Sequence, residues 1–133
     1  MSDTQLLEIK KDFRKFLYVI WEHLSLPEPT PVQYDIARYL QVAPKRRMIQ
    51  AFRGVGKSWV TSAYCCWLLL NNADEKILVV SASKTRSDDF SIFTKRLIND
   101  VSFLQYLAAN DGQRDSNIAF DVAPAKPAHA PSV

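Results

Sequence analysis

The chain has 133 residues, with 17 Lys+Arg against 14 Asp+Glu, 47% hydrophobic and 11% aromatic residues. That length suits one domain, and that apolar content excludes a disordered chain. No apolar run reaches the ~18 residues of a membrane span, so a transmembrane protein is not expected. The opening residues mix Asp3, Glu8, Lys10, Lys11 and Asp12 with apolar positions, unlike a secretory signal. The two cysteines, Cys65 and Cys66, are adjacent, a spacing that suits neither a structural disulfide nor a metal site. A soluble α/β protein of a reducing, intracellular compartment is expected. Charge is uneven: Arg38, Lys45, Arg46, Arg47, Arg53 and Lys57 fall within residues 36–73, where there is no acid. Such a block attracts polyanions, nucleotide phosphates or nucleic acid, although Lys45–Arg47 alone also reads as a solvated turn.

In chain order, residues 4–24 read as one amphipathic helix, with Leu6, Ile9, Phe13, Leu17, Ile20 and Leu24 at spacings of three and four. Pro27, Pro29 and Pro31 end it. A second helix is predicted from Thr30, the N-cap, with Pro31 in its first turn and Gln33 three residues past the cap. Ile36 and Leu40 extend its buried stripe, and Pro44 closes it. Met48–Phe52 then suits a strand. Trp59–Leu70 reads as a helix covered on most sides, and Ile77–Val80 as a buried parallel strand. Ser83–Asn99 returns to helical spacing. Strand, helix, strand, helix in that order predicts a right-handed βαβ unit with a parallel sheet. Asn117–Ala123 offers one further strand, and Pro124, Pro127 and Pro131 mark residues 124–133 as a linker-like tail. Residues 1–46 are then a helical lead-in and 47–123 the core. His23 and His129 stand at no readable spacing, and Trp21, Trp59 and Trp67 sit on apolar helical faces that suit core packing.

Two of the chain's three glycines fall at 54 and 56, directly before Lys57-Ser58. Between a strand and a helix, G-x-x-x-x-G-K-[ST] binds nucleotide phosphates. Ala51-Phe52-Arg53-Gly54-Val55-Gly56-Lys57-Ser58 matches seven of its eight positions, with alanine in place of the first glycine. Glycines let successive N–H groups converge on phosphate oxygens, and the helix dipole adds positive potential. Lys57 then reaches the β- and γ-phosphates and Ser58 places its hydroxyl on Mg²⁺. The bland alternative is a glycine turn that merely caps a helix.

With Arg53 inside it, this octapeptide resembles the variant Walker A of phage terminase large subunits, the motors that package DNA into proheads. The likeness is strongest to the DNA maturase B proteins of short-tailed coliphage-like podoviruses. It extends to Phe16–Trp21, to Leu78–Lys84, to Gly112–Ser116 and to Phe120-Asp121-Val122. The resemblance implies an ATP- and Mg²⁺-binding P-loop NTPase with a RecA/helicase-like parallel-sheet core, incomplete and preceded by two helices. It implies catalytic roles for Arg53, as a cation at the γ-phosphate, and for Lys57. Gln33, Arg53, Gly54, Val55, Gly56, Lys57 and Ser58 are the implied nucleotide contacts, and Ser58 the metal ligand. Gln33 matches a glutamine placed against adenine, yet it is equally the third residue of a capping box. Ser81–Lys84 matches a nucleic-acid contact of helicase-like ATPases, or an ordinary N-cap.

The implied partners are double-stranded DNA, the portal and the small terminase subunit. No membrane is implied, and the full-length motor is expected to be a homo-oligomer in the host cytoplasm, transiently at the prohead portal. Asp121 is a faint candidate for the Walker B carboxylate, and the family's Walker B strand and nuclease domain lie beyond this stretch. A truncated portion without hydrolysis of its own is therefore expected. The alternatives are a helicase-like ATPase fragment and a non-catalytic remnant that binds nucleic acid or an intact motor subunit.

Overall fold

The computed structural model describes residues 3–116, 119–126, 128 and 130–133. Asn117, Pro127 and His129, singled out above, lie outside these. The described chain forms helices α1 (Asp3–Lys11), α2 (Phe13–His23), α3 (Pro31–Val42), α4 (Lys57–Asn71) and α5 (Lys84–Asp100), then a 3-10 helix, Ser102–Leu107. None of these is long and apolar enough to cross a membrane. Contacts divide the chain into two compact units, 1–67 and 68–133.

In the first unit the single helix expected over 4–24 is two. Asp12 adopts an extended conformation and its carboxylate accepts the Arg14 N–H at 3.0 Å, capping α2. A short acidic side chain that bonds its own backbone competes with helix continuation. The break is splinted from α3: Gln41 Oε1 accepts the Phe13 N–H at 3.0 Å, and Gln41 Nε2 donates to the Lys11 carbonyl at 2.8 Å. The apolar face of α2 then buries Phe13, Phe16, Leu17 and Ile20 completely. Each such side chain contributes roughly 1.5–3 kcal/mol. Phe13 packs edge-on to Tyr64, with ring centres 5.2 Å apart, and Trp67 donates its indole N–H to the Ile9 carbonyl at 3.0 Å.

α3 starts as predicted, with Thr30 as N-cap, Pro31 in the first turn and a complete Thr30–Gln33 capping box. Its C-terminus is closed by Arg47, one residue of the basic turn. That guanidinium donates to the carbonyls of Leu40, Ala43 and Pro44 and to the Tyr64 hydroxyl. Lys45 and Arg46 are exposed.

In the second unit α5 packs on the 3-10 helix around Leu97, Ile98, Val101, Leu104 and Leu107. Phe120 and Val133 exchange backbone hydrogen bonds of 3.2 and 3.1 Å, and the Ile77 N–H donates to the Ser132 carbonyl at 2.9 Å. Ser132 and Val133, in the stretch read as linker-like, are buried.

Among the described residues there is no parallel sheet, which corrects the α/β expectation. The described residues are 55% helical, and among them the β pairing is one isolated antiparallel bridge, Asp115 with Phe120. Residues 48–52 and 77–80, read as strands, take no regular secondary structure and form no ladder, and they lie in different units. Ile77 and Val79 are half-covered, whereas Leu78 and Val80 are 87% and 81% exposed. A run of β-branched and aliphatic residues favours extended backbone, but pairing requires a partner that the run itself does not encode. A RecA-like core is therefore not this molecule's architecture.

Candidate functional site

The Arg53–Ser58 loop leads directly into α4, in the first unit. A turn forms as the Val55 N–H reaches the Phe52 carbonyl at 3.4 Å, and the Val55 side chain is buried beneath it. Gly54 and Gly56 hold φ of +88° and +85°, a region that side chains with a Cβ rarely enter. α4 then begins with the Val60 N–H bonded to the Gly56 carbonyl at 3.0 Å. The N–H groups of its first turn have no acceptor within the helix, so they form an anion-facing end.

A cleft of about 560 Å³ opens on this loop. Arg53, Gly54, Gly56, Lys57 and Ser58 line it together with Trp21, Leu26, Pro27 and Trp59. Arg53 is exposed, and Lys57 Nζ folds back onto the Ala51 carbonyl at 3.4 Å. Ala51 stands where the motif has its first glycine, and its carbonyl accepts the lysine head. Trp59 is 46% exposed at the mouth of the cleft, so one of the three tryptophans read as core residues is instead a site wall.

Gln33 meets the loop from α3. Its Nε2 donates to the Val55 carbonyl at 2.9 Å and lies 3.0 Å from where a Cβ on Gly56 would stand. Its Oε1 accepts two N–H groups, from the Thr30 backbone at 3.0 Å and from the Trp21 indole at 3.2 Å. All seven residues singled out for nucleotide contact therefore come together: Gln33, Arg53, Gly54, Val55, Gly56, Lys57 and Ser58. The contacts of Trp21 and Gln41 were not legible, because they join residues 12 and 28–30 positions apart whose spacing signals only burial.

The remaining candidates lie elsewhere. Ser83 is the N-cap of α5, accepting the Arg86 N–H at 3.1 Å, and Ser81 Oγ donates to the Ser83 carbonyl at 2.5 Å. Lys84 pairs with Asp88 at 2.7 Å. Asp121 is committed to Arg114, whose backbone N–H and Nε donate to Asp121 Oδ2 at 3.1 and 3.2 Å. Burial works to raise the Asp121 pKa, but the Arg114 hydrogen bonds and charge outweigh it and hold the carboxyl below its ordinary value. Cys65 and Cys66 are buried, and burial pushes the Cys65 thiol up to about 12 and Cys66 well above its ordinary value. Among the described residues no group of His, Cys, Asp and Glu is arranged to hold a metal.

No family model matches the chain. The chain is 50% identical over 127 residues to the terminase large subunit of Enterobacteria phage T3, a match that covers 95% of this chain. It spans 22% of that relative's length. The resemblance read from the octapeptide and its flanking segments thus holds across nearly the whole chain.

Proposed function

We propose that the Arg53–Ser58 loop binds the triphosphate of ATP with Mg²⁺, and that the chain serves this site within a DNA-packaging terminase large subunit. The observation that carries the reading is a turn with two positive-φ glycines that runs straight into Lys57-Ser58 at the first turn of a 15-residue helix. The donor set fits a polyanion. Arg53, Gly54, Gly56, Lys57 and Ser58 line the cleft, and a guanidinium, an ammonium, a hydroxyl and backbone N–H groups are all hydrogen-bond donors. Glu28 borders the same cleft and is approached by the Tyr34 hydroxyl at 3.5 Å.

Each residue's part follows from its chemistry. Lys57 exchanges the Ala51 carbonyl for phosphate oxygen, gaining a charge-assisted bond for a neutral one. Arg53, on the exposed outer arm of the loop, neutralises the terminal phosphate. Ser58 supplies one hydroxyl to Mg²⁺. ATP when bound supplies the phosphoanhydride whose cleavage would drive packaging. Such cleavage also needs a carboxylate on the metal and another to orient water. Asp121, the acid that the sequence offered, is spent on Arg114. The chain by itself is therefore proposed to bind ATP without sustained turnover, and the complete motor to act on double-stranded DNA with portal and small-subunit partners in the host cytoplasm.

Calorimetric titration with ATP·Mg²⁺ tests the site. Lys57→Ala should remove most of the affinity, and Arg53→Ala should weaken ATP more than ADP. Equal binding by wild type and Lys57→Ala would sink the assignment.

A further inference from the structure

Gln33 has four hydrogen-bonding positions, two lone pairs on Oε1 and two N–H on Nε2. Both groups that face Oε1, the Trp21 indole N–H and the Thr30 backbone N–H, are obligate donors, at 3.2 and 3.0 Å. The amide therefore has one allowed orientation, with its oxygen toward them and its nitrogen toward the loop. That nitrogen donates to the Val55 carbonyl at 2.9 Å. Reading adenine's exocyclic amine needs an acceptor open to the base, and here both lone pairs of Oε1 are already taken, which leaves Gln33 only its second Nε2 N–H.

The Val55 carbonyl belongs to the peptide that joins Val55 to Gly56. In a planar trans peptide the C=O and the next N–H point opposite ways. Holding the Val55 oxygen on Gln33 therefore fixes the direction of the Gly56 N–H. With glycine on its C-terminal side this peptide has little intrinsic resistance to rotation, so something outside the loop has to hold it. The restraint runs from Trp21 in α2, which is buried, through Gln33 at the start of α3, to the loop.

We infer that Trp21 and Gln33 are positioning residues that latch the loop in its anion-binding conformation, and that Gln33 does not select the base. The inference rests on the proposed phosphate site and assigns it a restraint. It predicts that phosphate affinity and base preference respond differently to the same substitution.

The test compares wild type, Trp21→Phe and Gln33→Met by calorimetry with inorganic tripolyphosphate, ATP and GTP, each with Mg²⁺. Amide exchange of Gly56 and Lys57 is measured by NMR on the ligand-free chain. Trp21→Phe keeps the ring and the whole capping box and deletes only the indole donor. Gln33→Met keeps the side-chain length and deletes the amide. The latch predicts that Gln33→Met weakens all three ligands by the same factor, about five- to tenfold for one lost hydrogen bond, with a smaller uniform loss in Trp21→Phe. Both variants should speed exchange at Gly56 and Lys57 while α5 amides keep wild-type rates. Loss of ATP binding alone, with tripolyphosphate, GTP and loop exchange unchanged, would show that Gln33 reads adenine and would overturn the inference. If wild type bound none of the three, the phosphate-site reading would fall, and unchanged loop exchange would separately overturn the latch.

Discussion

Alanine at the two loop glycines should have unequal effects, because their surroundings differ. Gly54 and Gly56 share nearly the same φ, +88° and +85°, so the conformational penalty of a Cβ is common to both. That penalty is about 1–2 kcal/mol. A Cβ on Gly54 meets nothing within 4 Å, whereas one on Gly56 stands 3.0 Å from Gln33 Nε2. Relief of that contact means moving the amide by a few tenths of an ångström, which lengthens the 2.9 Å bond to Val55. Losing a net hydrogen bond adds roughly 0.5–1.5 kcal/mol. Gly56→Ala should therefore destabilise by about 1.5–3.5 kcal/mol and Gly54→Ala by about 1–2. Urea unfolding followed by tryptophan fluorescence would measure both. In a Gln33→Ala background the excess at Gly56 should vanish, giving a coupling of about 0.5–1.5 kcal/mol in the double-mutant cycle, while Gly54→Ala stays additive. Equal penalties for the two glycines, or additivity of Gly56→Ala with Gln33→Ala, would refute the contact.

Three further outcomes follow from the geometry. Gln41→Met should destabilise by roughly 2–3 kcal/mol, since it strands the Phe13 N–H and returns the Lys11 carbonyl to water, and circular dichroism should show helix loss near residue 12. The Asp121 carboxylate, held below its ordinary 3.8 by Arg114, adds stability that is complete above that value and disappears as pH falls through the lower folded pKa. Asp121→Asn should thus be less stable than wild type at neutral pH, with a gap that closes only in strong acid; a gap constant with pH counts against the pair. Cys65 and Cys66, buried and with raised pKa, should resist maleimide labelling in the native chain and react in step with unfolding.

Local chemistry was readable wherever one short stretch carries its own instructions. Thr30-Pro31 with Gln33 defines a helix start, and α3 begins there. Gly54 and Gly56 before Lys57-Ser58 define a turn into a helix, and the structure has that turn. What depends on a distant partner was not readable. Leu6 to Leu24 keep helical spacing straight through Asp12, because the break preserves the buried face and is supported by Gln41 from another helix. Arg47 looked like one charge among three, yet three carbonyls and the Tyr64 hydroxyl take up its guanidinium. Ile77–Val80 was read as a buried parallel strand, and it joins no sheet. Hydrophobic runs encode which side is covered, whereas strand pairing is decided by what lies alongside.

The same run, Ile77–Val80, sets a practical limit on handling the molecule. Leu78 and Val80, alternating with the half-covered Ile77 and Val79, meet water over most of their surface. Two such ribbons from different molecules gain by meeting face to face, and the gain grows on warming because apolar association weakens in the cold. Concentrated samples should therefore stay clear on ice and scatter light as they approach room temperature. Dilution and cooling should reverse that turbidity, and Leu78→Lys should abolish it by adding a hydrated charge to the ribbon.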